Sequence, residues 1–243
     1  MIHRENYTVA FEDCGKSDEA SVIAILRMAE NAASRNSDDA GDSVISTSLS
    51  SGIAWVMVEW NAKFVRLPKY GEKLSISTWS RWPENTRSVR REYLICAENG
   101  EHCVELSSKF MLLDLKSGSI VQLNEEFMKK YDPEDCYAFD ISMLGLLREP
   151  KQYESETRLT LRRSDIDFNA HVHNLNYLNF ALEALPEAVY DKADYDSLRI
   201  IFRKALKADD DVVCRYASNG DEHTVGIYGG DDVLRCIVQL KSK

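Results

Sequence analysis

The chain has 243 residues, of which 44% are hydrophobic, so it can fold as one large domain or two modest ones without disulfide bonds. Its formal net charge of -10 argues against nucleic acid as the main partner, because phosphate binding depends on clustered lysine and arginine. Six scattered cysteines without a C-x-x-C pair, and the lack of a signal-peptide core or of ~20 consecutive apolar residues, predict a soluble cytoplasmic protein with free thiols.

Helical periodicity precedes strand periodicity in the first half of the chain. After a short alternating segment at 7–11, Ser17 is an N-cap candidate for a helix with an apolar stripe. The stripe consists of Val22, Ile25, Leu26, Ala29 and Ala33. Period-two segments follow and predict an antiparallel meander with a tight turn at Asn99-Gly100. They span 53–66, 73–82, 87–98 and 101–114.

The second half repeats this order after a looser segment, 124–152, which is predicted to be a linker with room for a short helix. A strand at 153–163, a polar loop and an apolar helix that ends near Pro186 come next. Further strands are predicted at 198–206, 211–218, 222–228 and 233–240. One architecture present twice predicts an α+β fold with domains over 1–123 and 153–243.

The two halves also match in a short segment. F-V-R-L-P-K-Y-G-E-K-L at 64–74 aligns with F-R-K-A-L-K-A-D-D-D-V at 202–212. Both run from a basic-flanked strand end through a tight acidic turn into a new strand. This alignment supports a duplication.

The most polar stretch is S-D-I-D-F-N-A-H-V-H-N, residues 164–174. A calcium loop is excluded, because Ala170 stands where an EF-hand requires glycine and Asn176 where it requires glutamate. A transition-metal site on His171 and His173 with a nearby aspartate is left open, although the spacing matches no specific motif.

A structural interpretation is also open, in which Asp165 and Asn174 cap the next helix and the histidines lie in a solvated loop. It explains less well why Asp167, Asn169 and His171 alternate strictly, since an extended chain turns such side chains to one side. A carboxylate, an amide and an imidazole that face one point can orient and activate water.

These residues carry a resemblance to a known family. D-I-D-F-N-A-H-V-H-N-L-N-Y-L-N-F-A-L-E-A-L-P, 165–186, resembles the D-x-N-x-H-V-N-N signature, Tyr-bearing helix and E-x-x-P of the acyl-acyl-carrier-protein thioesterases. W-V-M-V-E-W-N-A-K-F-V-R-L-P-K-Y-G-E-K-L-S-I-S-T-W, 55–79, is similar to that family's R-x-P-x-x-G strand pair. The resemblance covers nearly the whole chain. It implies a tandem double hot-dog fold, in which each half wraps an antiparallel sheet around one long helix.

The same resemblance implies that the chain hydrolyses fatty acyl-acyl carrier protein. By position, the family's catalytic aspartate, asparagine and histidine fall on Asp167, Asn169 and His171. Asp167 is then the general base toward water or a carboxylate nucleophile, and the other two position the water or polarise the thioester. No cofactor and no metal ion are implied.

The chain departs from the family pattern at three positions. His173 replaces the first asparagine of H-V-N-N. The family's acidic residue falls on Ala205, and the position that some plant members fill with cysteine falls on Leu206, so a cysteine mechanism is not supported. Glu183 is the replacement acid nearest in sequence, although a solvated residue at a helix end is the more ordinary interpretation.

An acyl tunnel is implied between the first helix and its sheet, in the N-terminal domain. Residues that could line it, or could equally be plain core, are Val22, Ile25, Leu26, Ala29, Trp55, Val56, Val58 and Trp60. Because acyl carrier protein is acidic, docking is expected to use local basic clusters. The candidates are Arg87, Arg90, Arg91, Arg162, Arg163, Arg199, Arg203 and Lys204.

The sequence is also compatible with two other functions. One is an acyl-CoA thioesterase, whose substrate also carries phosphates. The other is a non-catalytic acyl-binding double hot-dog protein, which the loss of the acid at Ala205 favours. Neither membrane insertion nor nucleic acid binding is expected, and a homodimer is one option for the assembly.

Overall fold

The computed structural model describes residues 1–142, 144–192 and 194–243. Within those ranges, none of the helices is both long enough and apolar enough to cross a bilayer. The chain divides into two units, each with its own helix and strands. The domain bounds predicted from the sequence stay a prediction.

The first unit, Met1–Val58 with Ala62–Ile141, combines a long helix with an antiparallel sheet. Its elements in chain order are β1 (His3–Thr8), α1 (Val22–Asp39), α2 (Val44–Ser51), β2 (Ile53–Phe64), β3 (Lys73–Ser80), β4 (Val89–Ala97), β5 (His102–Asp114), β6 (Ile120–Val121) and α3 (Glu125–Lys129). The strand order is β1-β3-β4-β5-β2, with β6 beside β5. Antiparallel pairing of β3 with β4 and of β4 with β5 confirms the predicted meander.

The second unit, Glu59–Asn61 with Ser142–Lys243, repeats this arrangement. Its elements are β7 (Ser155–Leu159), α4 (Asn174–Glu183), α5 (Glu187–Lys192), β8 (Tyr195–Phe202), β9 (Val212–Asn219), β10 (Glu222–Gly229) and β11 (Leu234–Ser242). The strand order is β7-β9-β10-β11-β8. In both units the first strand along the chain lies beside the third, and the second strand lies beside the fifth. The identical permutation confirms the predicted duplication.

The predicted apolar stripe of α1 is buried in the core. The predicted N-cap at Ser17 is wrong, because Ser21 takes that role and its hydroxyl accepts a hydrogen bond from the Ala24 N–H at 3.3 Å. The helix also continues to Asp39, through a polar segment in which Asn36 and Ser37 are buried. Polar composition alone therefore misplaces both ends of α1.

Strand β2 follows the predicted alternation only in its second half. Trp60, Ala62 and Phe64 are buried, but Val56 is exposed while its neighbour Met57 is buried. Val56 therefore cannot line a closed apolar tunnel.

The apolar pattern predicts a strand at 198–206, but the observed strand β8 begins and ends earlier, at Tyr195 and Phe202. β8 stops at Phe202, because the N–H groups of Arg203 and Lys204 both donate to the Arg235 carbonyl, at 2.8 and 3.2 Å. The chain turns there and enters the loop that carries Ala205. That loop supports the candidate site.

A segment after α3 is fastened to β3 and β4 by side chains. The Trp79 Nε1 donates to the Cys136 carbonyl at 2.9 Å, and the Arg81 guanidinium lies 3.2 Å from the ring centroid of Tyr137. These contacts tie the end of the first unit to its sheet.

A buried carboxylate completes this attachment. Glu92 is fully buried, and its side chain accepts hydrogen bonds from the Ser107 hydroxyl at 2.9 Å and the Ala138 N–H at 3.2 Å. Burial raises the pKa of Glu92 to about 7, against the opposing effects of these two bonds and of Arg81 and Arg90. The carboxyl group therefore titrates near neutral pH inside the fold.

Glu92→Gln should change how stability depends on pH. The wild-type free energy of unfolding should fall as pH rises from about 4.5 to 7, because in that window the folded carboxyl keeps a proton that the unfolded chain has released. Glutamine stays neutral, donates to Ser107 and accepts from Ala138, so the variant should be more stable by about 3 kcal/mol at pH 8 and equal to wild type below pH ~4. Urea unfolding at three pH values, with exposed Glu126→Gln as control, measures this; parallel pH profiles for wild type and Glu92→Gln would contradict it.

Candidate functional site

A buried aspartate precedes the main helix of each unit. Asp13 in the first unit and Asp165 in the second each end a short 3-10 turn. The backbone carbonyl of each accepts a hydrogen bond from the N-cap residue of the helix: Ser21 to Asp13 at 2.8 Å, and His173 to Asp165 at 2.9 Å. The loop between turn and helix is thus closed in the same way in both units.

The two carboxylates are held by different partners. Asp165 accepts from the Arg162 N–H at 2.7 Å and from the Arg162 Nη2 at 2.8 Å. Asp13 accepts from the Tyr7 hydroxyl, the Ala10 N–H and the Arg27 guanidinium. Burial raises the pKa of Asp13, but these three hydrogen bonds outweigh burial and hold that pKa below its usual value. Both aspartates therefore support the loop. The expectation that Asp165 caps the helix is wrong, because the N-cap of α4 is His173.

The polar loop forms a tight hairpin. The Asp167 N–H donates to the His171 carbonyl at 2.8 Å, the Ala170 N–H donates to the Asp167 carbonyl at 3.0 Å, and Ala170 has a left-handed φ of 60°. The expectation of an extended chain over 167–171 is therefore wrong. Asp167 and His171 nevertheless lie opposite each other, and opposite residues of an antiparallel pair project to the same side.

The Asp167 carboxylate shapes this hairpin. Its Oδ1 accepts from the Asn169 N–H at 2.8 Å and from the His171 N–H at 3.3 Å. Such local side-chain bonds replace the ladder that an extended segment would need. The three predicted site residues are thereby brought together at one hairpin tip.

Chemically useful atoms remain available at this tip. Asp167, Asn169 and His171 are each half-buried. Across the described ranges, Oδ2 of Asp167 and the side chains of Asn169 and His171 have no hydrogen-bond partner. A carboxylate oxygen, an amide and an imidazole can therefore bind water or a polar substrate.

The loop that follows β8 supports the hairpin. The Val172 N–H donates to the Leu206 carbonyl at 2.9 Å, and the Leu206 N–H donates to the buried Tyr177 hydroxyl at 2.7 Å. Leu206 is fully buried, whereas Ala205 is exposed. Tyr177 is a supporting residue that the sequence pattern did not single out by role.

Other residues near the loop differ from their predicted roles. The N-cap of α4 is His173, whose Nδ1 accepts from the Leu175 N–H at 3.3 Å, and Asn174 is the first helical residue instead of the cap. Glu183 is exposed at the far end of α4 and interacts with the charge of Arg162. Across the described ranges, no hydrogen bond or ion pair joins Glu183 to Asp167, Asn169 or His171. In the part of the chain that the structure describes, no group of three or more His, Cys, Asp or Glu is arranged to hold a metal ion.

The corresponding hairpin of the first unit has different chemistry. Bridges join Cys14 to Ala20 and Ile166 to Val172, so the two loops have equal length and can be matched position by position. The residues that stand where the second unit has Asp167, Asn169 and His171 are Gly15, Ser17 and Glu19. The carboxylate, amide and imidazole set is therefore confined to the second unit of this pair.

A cleft of about 510 Å³ opens in the first unit. Its lining mixes apolar and charged groups, namely Val58, Asn85, Thr86, Arg87, Ser88, Lys109 and Met111. An open, partly charged cleft is not the closed apolar tunnel that the sequence predicts. The acyl pocket in the N-terminal domain therefore stays a prediction.

Several arginines of the predicted basic clusters are already engaged. Arg91 is buried and donates to Asn36 at 2.6 Å, and Arg162 is bound to Asp165. Arg199 donates to the Gly145 carbonyl at 2.8 Å. Arg91 is therefore not available to dock a partner, and Arg162 and Arg199 are partly occupied by these bonds. The exposed members of the clusters are Arg87, Arg162, Arg163, Arg203 and Lys204.

Comparison with known families fits this loop and fold. The acyl-ACP thioesterase N-terminal domain matches residues 1–131, and the acyl-ACP thioesterase C-terminal domain matches residues 148–229. The chain belongs to the acyl-ACP thioesterase family. The family resemblance predicted from 55–79 and 165–186 is confirmed.

Individual relatives of this acyl-ACP thioesterase family member are distant in sequence. It is 24% identical over 225 residues to oleoyl-acyl carrier protein thioesterase 2, chloroplastic, of Arabidopsis thaliana, with 86% of this chain and 60% of the relative covered. It is 20% identical over 264 residues to the chloroplastic dodecanoyl-[acyl-carrier-protein] hydrolase of Cinnamomum camphora, with 100% and 68% covered. The chain thus spans about three fifths of the length of the Arabidopsis relative.

Solved structures show the same fold. The 12:0-ACP thioesterase from Umbellularia californica superposes with a TM-score of 0.88 at 17% identity, covering 99% of this chain and 96% of that one. An acyl-ACP thioesterase from Bacteroides thetaiotaomicron gives 0.83 at 15% identity, with 99% and 97% covered. These matches confirm the predicted double hot-dog fold.

Asp165→Asn should loosen the hairpin. The amide cannot replace the carboxylate toward both the N–H and the guanidinium of Arg162, so the free energy of unfolding should drop by about 1–3 kcal/mol. Hydrogen exchange over 162–173, followed by mass spectrometry, should become faster. Asp13→Asn is the matched control: it should destabilise the first unit and leave exchange over 162–173 unchanged. Unaltered exchange in Asp165→Asn would show that Asp165 does not support the loop.

Proposed function

We propose that this family member hydrolyses the thioester of fatty acyl-acyl carrier protein to a free fatty acid and the carrier protein. The observation that carries the proposal is the hairpin at 167–171, with a carboxylate, an amide and an imidazole at one tip. The names of the Arabidopsis and Cinnamomum relatives describe thioester hydrolysis on acyl carrier protein and support the same substrate class.

In the proposed reaction Asp167 acts as general base. One of its oxygens is occupied by the N–H groups of Asn169 and His171, which fixes the carboxylate, and Oδ2 is left for water. Water loses a proton to Oδ2 and attacks the thioester carbonyl carbon, and the carbonyl oxygen becomes an oxyanion. The Asn169 amide and the His171 imidazole polarise that carbonyl. Collapse breaks the carbon–sulfur bond and releases the carrier thiolate, which takes up the proton that Oδ2 of Asp167 accepted from water, so that the carboxylate is regenerated.

A non-catalytic acyl-binding protein is the second candidate, favoured by one observation. Ala205, the position of the family's acidic residue, is exposed and has no acidic side chain. The proposed hydrolysis therefore relies on Asp167 as the carboxylate at the tip. Acyl binding without release of thiol is the result that distinguishes this candidate.

Asp167→Asn tests the proposed base. Asparagine still accepts the hydrogen bonds of Asn169 and His171, so the hairpin should persist while the proton acceptor is lost. We expect kcat to fall by about 100-fold or more. Thiol release from acyl carrier substrates of graded chain length measures the effect. Glu19→Gln, at the position that matches His171 in the first unit, serves as control and should retain full activity.

Retention of wild-type turnover by Asp167→Asn would remove Asp167 from the mechanism. Running acyl-CoA of the same chain lengths beside the carrier substrates identifies the preferred carrier. The homodimer and the cytoplasmic location stay predictions, and the names of the Arabidopsis and Cinnamomum relatives describe chloroplastic proteins.

A further inference from the structure

Each hairpin is paired with a lysine from the loop that supports it. An antiparallel bridge joins Glu19 to Lys69 in the first unit, and the matching bridge joins His171 to Lys207 in the second. The two lysines are also matched in the alignment of 64–74 with 202–212. The same backbone arrangement therefore places one ammonium group beside each hairpin.

The first of these lysines is neutralised. The Lys69 Nζ lies 3.1 Å from Oδ2 and 3.4 Å from Oδ1 of Asp18, within the first unit's own hairpin. The positive charge of Lys69 is thus neutralised by a local ion pair.

The second lysine has lost that partner. Counted along hairpins of equal length, the residue that matches Asp18 is Ala170. Lys207 is exposed, and in the part of the chain that the structure describes no carboxylate lies within ion-pair distance of its ammonium. Asp210 contacts only the backbone of Lys207, accepting its N–H at 3.0 Å, and also lies 3.8 Å from Arg235. An unneutralised cation in a chain of net charge -10 is available to a substrate.

The position of Lys207 relative to the site follows from the two pairings. Asp167 lies opposite His171, and His171 lies opposite Lys207. These pairings place the backbone of Lys207 beside His171, on the side of His171 away from Asp167. The flexible four-carbon side chain of Lys207 is long enough to reach the reacting group of a thioester bound at the hairpin. The phosphate of the substrate's pantetheine arm is many bonds further away and is a less suitable target.

We propose that Lys207 stabilises the leaving thiolate of the substrate. The inference rests on the proposed hydrolysis. As the carbon–sulfur bond breaks, its electron pair goes to sulfur, and the Lys207 ammonium forms an ion pair with the resulting thiolate. The proton that Asp167 took from water then passes through solvent to the sulfur, and the lysine keeps its proton throughout. Lys207 thereby supplies charge stabilisation on the loop where the family's acidic residue is replaced by Ala205.

The test compares leaving groups. In Lys207→Gln, kcat for an alkyl thioester such as acyl-pantetheine should fall about tenfold, because an alkyl thiolate depends on the cation. For a matched aryl thioester, whose thiolate leaves readily, kcat should change less than about twofold. Lys207→Arg should restore the alkyl rate, and Lys69→Gln, the matched control, should behave as wild type on both substrates. A structural role would lower both rates together, and that result, like unchanged rates on both, overturns the inference.

A second measurement separates this inference from the proposed function. Calorimetric titration with free pantetheine at pH 7 and pH 9 does not require turnover. Wild type should bind the thiol more tightly at pH 9, where a larger fraction is thiolate, and Lys207→Gln should lose that gain. If wild type hydrolyses neither thioester, the proposed function fails and the titration alone decides: a gain that survives in Lys207→Gln, or is missing in wild type, refutes the role of Lys207.

Discussion

The hydrogen bond from a helix N-cap to the carbonyl of a buried aspartate is the constraint on which the candidate site depends. In the second unit it joins His173 to Asp165 and closes the loop between them to a fixed length. Burying Asp165 is favourable only because Arg162 satisfies its carboxylate through both backbone and side chain. Once those ends are fixed, the intervening residues have room for a single tight hairpin.

The duplication explains how the hairpin of the second unit could gain reactive side chains while the first unit kept a structural one. The first unit keeps the same closure around Asp13, with Lys69 paired to Asp18. In the second unit the backbone closure persists, but the ion pair is gone and polar groups occupy the tip. The hairpin of the first unit is consistent with a purely structural loop. The hairpin of the second unit has the same backbone closure, and its tip carries polar side-chain atoms that the loop's own hydrogen bonds do not use.

Periodicity in the sequence was sufficient to predict the larger elements. Alternation identified β2 to β5 and β7 to β11, and the stripe of α1 identified its buried face. The alternating segment predicted at 7–11 was misplaced, because β1 is His3–Thr8 and a 3-10 turn covers Phe11–Asp13. Local conformation was less accessible. The strict alternation of Asp167, Asn169 and His171 suggested an extended chain, because spacing does not reveal that Asp167 bonds the N–H groups ahead of it or that Ala170 adopts a left-handed φ. The N-caps Ser21 and His173 were missed because several polar residues compete for each role.

Contacts between distant loops could not be deduced from spacing. The bridge between His171 and Lys207 depends on where β8 ends, and that end is set by the Arg235 carbonyl on another strand. The internal alignment of 64–74 with 202–212 matched Lys69 with Lys207 but did not indicate which residues they would pair with. It did not show that one lysine would be paired and the other exposed.

The peptide of Leu206 is held on both sides, by Tyr177 at its N–H and by Val172 at its carbonyl, while the preceding side chain of Ala205 faces solvent. Two adjacent positions are therefore under opposite physical constraints. A change at 206 disturbs packing, whereas a change at 205 costs the fold little. An acidic residue at position 205 would be maintained only by selection for the reaction. Once that selection relaxes, the residue can change to alanine without unfolding the loop.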